Sequence, residues 1–141
     1  MINLNQSAEE ISNFLEASIS RFQKENGQPN SIGIYCCPWS GWLMSNFNID
    51  KHLSETDNNC PDFQYVEFDI LDLPEWSAEY EKEDPMYQLN DSIIRHDHDT
   101  GDEKLNQLIF EYLKPIMIVF KKKHDFNFLL QMLDSEQVAA I

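Results

Sequence analysis

The sequence predicts an α+β domain, a mostly antiparallel sheet of about four strands packed against two long helices. Three observations carry this prediction. Two stretches, one near each end, repeat apolar side chains at helical spacing; short apolar runs bounded by turn residues read as strands; and no internal repeat, linker or low-complexity tract interrupts the chain. At 141 residues there is material for one core, so residues 1–141 are read as a single domain.

The elements follow in order. Ser7-Ala8-Glu9-Glu10 reads as a capping box that opens a helix, with Ile11, Phe14, Leu15, Ile19 and Phe22 forming its apolar stripe. Gly27 and Pro29 end it. Ser31 to Cys37 and Trp42 to Asn48 flank Pro38-Trp39-Ser40-Gly41 and read as a β-hairpin. Asp50 to Asn59 is polar, a loop or a single helical turn. Phe63 to Leu71 reads as a third strand, Val66, Phe68 and Ile70 alternating against Tyr65, Glu67 and Asp69. Leu73 to Asp84 is acidic and undecided.

Pro85 to Arg95 reads as a helix with Leu89 and Ile93 facing inward, and Tyr87 and Ile94 as further candidates for that face. His96 to Gly101 is a polar loop, and a second long helix starts near Asp102 with Leu105, Leu108, Ile109, Tyr112, Leu113, Ile116, Met117 and Phe120 on one face. Pro115 either kinks this helix or stops it, and Lys121-Lys122-Lys123 suits a helix C-terminus. The pattern of Phe126 to Leu133 suits a strand or a short helix, and a fourth strand is expected because it covers a core better than three do.

Composition bounds the function. Nine Phe, five Tyr and three Trp exclude a disordered chain. Ten basic against twenty-five acidic side chains give a net charge of −15, a field that repels nucleic acid and anionic lipid. No apolar run is long enough to span a membrane and the first residues make no signal peptide, so neither membrane nor nucleic acid is expected as a partner. Three cysteines, an odd number, form no closed disulfide framework and fit a reducing cytoplasm.

The charge is concentrated. Between Asp62 and Glu103 fourteen acidic side chains face only Lys82 and Arg95, so this segment holds −12 of the −15. Most acidic runs are merely solvated faces, but crowding like charges on a small domain destabilises it, which invites a functional reading. The reading is recognition of a basic protein, in which carboxylates steer association and aromatics anchor the complex. The candidate partner-binding residues are Glu75, Trp76, Glu79, Tyr80, Glu81, Glu83 and Asp84, with Asp97 and Asp99 as a second patch. Trp76 and Tyr80, flanked by carboxylates, are expected to be the surface anchors.

Chemistry has weaker signals. His96 and His98 would share one face on a strand, but zinc needs two further ligands, and Cys36, Cys37 and Cys60 form no Cys-x-x-Cys pair. Asp97-x-Asp99-x-Gly101-Asp102 fails as a calcium loop, because Gly101 stands where an oxygen ligand belongs. Ser40 lacks the flanking glycines of a nucleophile elbow, and with four glycines in the chain no phosphate loop is present. No metal, no cofactor and no enzymatic activity are expected. The alternatives are a small metal-dependent or thiol enzyme built on His96 and His98, and a housekeeping adaptor.

At Trp76-Ser77-Ala78-Glu79-Tyr80-Glu81, and in the Trp39/Trp42 hairpin, the chain resembles a family of small, uncharacterised bacterial cytoplasmic proteins, some of which look like immunity proteins of polymorphic or contact-dependent toxin systems. The order of elements resembles that family over most of the chain. The resemblance implies an α+β fold and no catalytic residues. It also implies an immunity protein that neutralises a cognate toxin by stoichiometric binding. Charge suggests that the toxin is a basic nuclease domain, since such a domain must hold a polyanion.

Overall fold

A computed structural model describes residues 1–141. The chain runs β1 (Ile2–Asn3), α1 (Leu4–Asn26), β2 (Ser31–Cys37), β3 (Trp42–Asn48), β4 (Tyr65–Asp72), α2 (Pro74–Tyr80), β5 (Met86–Leu89), β6 (Ser92–Arg95), α3 (Glu103–Lys123), β7 (Asn127–Met132) and β8 (Val138–Ala140). The α+β class holds, but the strands form two sheets. One has five strands in the order β4-β3-β2-β7-β8, antiparallel except where β7 runs parallel to β2. A smaller sheet has the order β1-β5-β6.

Helix α1 starts earlier than the capping box predicts. Asn3 caps it by accepting the Asn5 N–H at 3.0 Å, because β1 pairs with β5 and fixes the chain one residue before. Ser7 therefore lies on the buried stripe with Leu4, Ile11, Leu15, Ser18, Ile19 and Phe22. Both hydroxyls of this stripe are matched: Ser18 Oγ lies 2.7 Å from Ser45 Oγ, and Ser7 Oγ accepts from Trp76 at 3.1 Å. The stripe packs on one face of the large sheet, and α3 covers the same face with Leu105, Ile109, Leu113, Met117 and Phe120. Tyr112 ties the two helices by donating to the Leu4 carbonyl at 2.7 Å.

Helix α3 runs unbroken through Pro115. The ring sits on the exposed side, where water can meet the Glu111 carbonyl that lacks its usual N–H. The expected helix over 85–95 is instead the β5–β6 hairpin. Its two-residue turn is Asn90-Asp91, with Asn90 at φ 54°, a conformation Asn tolerates. Tyr87 faces the core there, opposite Ile94.

The third strand forms, but its phase is not the expected one. Glu67 sits at φ 52° and the β3–β4 register slips beside it, because Asn46 Oδ1 takes the Glu67 N–H at 2.8 Å in place of a ladder carbonyl. The bulge turns Tyr65, Phe68 and Leu71 toward α1, where Phe22 stacks on Phe47 at 4.1 Å and meets Tyr65 and Phe68 edge-on at 5.1 Å. Val66 and Ile70 turn outward and are exposed.

The far face of the large sheet is covered only in part. The 49–64 connection folds two short helical turns, Leu53–Glu55 and Cys60–Asp62, against it, and Cys60 and Phe63 pack on Leu129. Gly33 makes room for this, since a Cβ there would sit 2.7 Å from the Phe63 ring. At the opposite end, Gly41 (φ 71°) accepts the Leu73 N–H at 2.7 Å and leaves no space for a side chain against the start of α2.

Candidate functional site

Past β4, which carries Glu67, Asp69 and Asp72, the rest of the acidic block folds into a lobe made of α2, the β5–β6 hairpin and the turn before α3. Pro74 at the first turn starts α2, and with only seven residues the helix presents a single inner edge. Trp76 lies on that edge and is fully buried; its indole N–H donates to Ser7, and its ring stands 6.4 Å from that of Tyr112. This corrects the expectation of a surface anchor: flanking carboxylates say nothing about which way one residue of a short helix points. Glu79 is also interior, 3% exposed. It accepts from the Met1 ammonium at 2.6 Å, from Lys82 Nζ at 2.9 Å and from the Met86 N–H at 3.0 Å. Burial alone would raise its pKa, but these three donors together bring it down to about 2. Its role is to join the chain start, α2 and β5.

Tyr80 is half-buried and donates to Asp102 Oδ1 at 2.7 Å; burial and then this carboxylate push its phenol up to about 12. Its ring stacks on His96 at 5.9 Å and meets His98 edge-on at 4.8 Å. The result is a tie between α2 and the start of α3 more than an anchor held out to solvent. The imidazoles of His96 and His98 stand 5.2 Å apart, nearly perpendicular. His98 Nε2 lies 2.9 Å from the Lys82 carbonyl, and His96 Nε2 lies 3.4 Å from Asp102 without a hydrogen bond. No group of three or more His, Cys, Asp or Glu is arranged to hold a metal ion.

The remaining predicted residues are on the surface. Glu75, Glu81, Glu83, Asp84, Asp97 and Asp99 are all exposed. The two cations of the segment are already engaged, Lys82 with Glu79 and Arg95 with Asp84. None of Glu75, Glu81, Glu83, Asp97 and Asp99 has an ion-pair partner. Asp97 caps its own turn by accepting the Asp99 N–H at 2.9 Å, which holds the second patch in one conformation. Glu75 borders a polar cleft of about 380 Å³ between α2 and the first turn of α1.

All three cysteines are buried and free. Burial raises each thiol, Cys36 and Cys60 strongly, and leaves no thiolate to act as nucleophile near neutral pH.

Sequence reasoning missed the open half of the sheet's far face, where Tyr35, Trp42 and Met44 are half-buried and Val66, Ile70 and Val138 exposed. The available signal was the three-residue spacing of Tyr65, Phe68 and Leu71, which breaks the strand period of two. Comparison of the chain with protein-family models, with curated proteins and with solved structures finds no match.

Proposed function

We propose that this protein works by stoichiometric binding of a strongly basic protein, as an immunity protein does when it neutralises a toxin domain in the cytoplasm. The observation that carries the reading is the lobe of exposed carboxylates whose only two cations are paired internally. Such a surface gains from a partner that supplies Arg and Lys, and its field speeds encounter with a cation before contact is made. A nuclease domain fits, because the residues it uses to grip phosphate are the ones this lobe would cover. Burial of all three thiols weighs against the thiol-enzyme alternative.

Reversing exposed charges tests the reading without touching the core. Glu81→Lys with Glu83→Lys is expected to slow association with a basic protein retained from native lysate on the wild-type chain about tenfold at low salt and to flatten its salt dependence. Unchanged rate and salt slope would remove the lobe as the interface. A neighbouring gene for a large secreted protein with a basic C-terminal domain would separate the immunity reading from a housekeeping adaptor.

A further inference from the structure

With Trp76 in the core and Tyr80 tied to Asp102, the acidic lobe exposes one large apolar side chain, Ile93, which does not face inward as expected, and further apolar anchors lie elsewhere. Across the large sheet the register sets Ile70 beside Met44, Met44 beside Tyr35, Tyr35 beside Gln131, and Gln131 beside Val138. Residues paired in this way share a face. The next row sets Asp72 beside Trp42 and Trp42 beside Cys37. Tyr35 and Trp42 meet edge-on at 5.7 Å. Gln131 is held by Asn59 and the Cys60 N–H, and Tyr35 packs against the Cys60–Phe63–Leu129 cluster at the edge of the covering loop, while beyond it Met44 is half-buried and Ile70 exposed. Ile70 is 50% exposed and Val138 38%.

Charge says what fits this face. Asp72 is exposed beside Trp42, and Asp134 is exposed just past β7, close enough to raise both the Tyr35 phenol and the Cys37 thiol. The Leu73 N–H donates to the Gly41 carbonyl and joins this end of the sheet to the start of α2. Seven of the ten cations (Arg21, Lys24, Lys104, Lys114, Lys121, Lys122 and Lys123) are carried by α1 and α3, which cover the opposite face. A second copy, also at −15, would be repelled from this end of the molecule.

We infer that the open sheet face around Tyr35, Trp42, Met44 and Ile70 is the apolar anchor site for a cationic protein, with Asp72 and Asp134 as its charged rim. The inference rests on the binding function proposed above and says where the dissociation rate is set. Aromatic and aliphatic groups on a rigid sheet hold a complex together, whereas rim carboxylates mainly accelerate its formation.

The test uses the full chain and the basic protein that it retains from the lysate of its own cells. Ile70→Gln with Met44→Gln leaves net charge unchanged, so the association rate should hold while dissociation accelerates by about tenfold or more. Hydroxyl-radical footprinting of the wild-type complex should protect Met44 and Trp42 against oxidation, a readout that does not depend on the variant folding. Unchanged dissociation with Met44 and Trp42 still oxidised, while Glu81→Lys/Glu83→Lys slows association, would overturn the sheet-face inference and leave the lobe as interface. Retention of no basic protein overturns both. A dimer that protects Met44 without any partner would put a second copy on the face and overturn the inference as well.

Discussion

Glu79 shows how far one carboxylate's surroundings decide its role. In sequence it is one of fourteen acids in a block; in the structure three donors hold it in the interior. Its pKa falls from the ordinary 4.5 to about 2, so its contribution to stability is complete above 4.5 and is lost as pH drops through 2. That contribution is on the order of 3 kcal/mol by proton linkage. Glu79→Gln should therefore flatten the acid limb of the stability curve between those values in urea titrations at stepped pH. An acid limb identical to wild type would show that Glu79 is not held as described. Trp76 belongs to the same scale: Trp76→Ala should destabilise by about 3–5 kcal/mol through the cavity it leaves and the unpaired Ser7 hydroxyl. The three thiols should react with a disulfide reagent only as fast as the chain opens, and at once in denaturant.

At the scale of elements, legibility followed the length and regularity of the pattern. Helices α1 and α3 and the β2–β3 hairpin repeat their periods over enough residues to be read directly. The β5–β6 hairpin was hidden because Leu89 and Ile93 fall four apart, as on a helix, and only Asn90-Asp91 signals the turn. The phase of β4 was hidden for another reason: it is set by Asn46, twenty-one residues away, and no local pattern encodes that bond. The parallel pairing of β7 with β2 is likewise a long-range fact, resting on the crossover that α3 completes. Pro115 gives a prediction at this scale. Pro115→Ala supplies the N–H that the Glu111 carbonyl lacks, and should raise stability by about 1–3 kcal/mol without changing the fold. A lower melting temperature would mean that the ring packs where we place it in solvent.

The whole molecule is electrically lopsided: seven of its ten cations lie on α1 and α3, while the segment from Asp62 to Glu103 holds −12 of the −15. The charge block was legible from composition, since counting residues needs no geometry. Which members of the block reach solvent was not legible, because burial of Trp76 and Glu79 depends on contacts with Ser7 and Met1, far away in the chain. The account stands or falls on whether the exposed carboxylates recognise one basic protein. The most direct measurement is retention from native lysate on immobilised wild type beside a variant carrying Glu81→Lys, Glu83→Lys, Asp97→Lys and Asp99→Lys, eluted by a salt gradient. The account predicts one basic protein held near one-to-one on the wild type, resisting moderate salt, and lost from the variant. A smear of basic proteins released at low salt from both columns would contradict it.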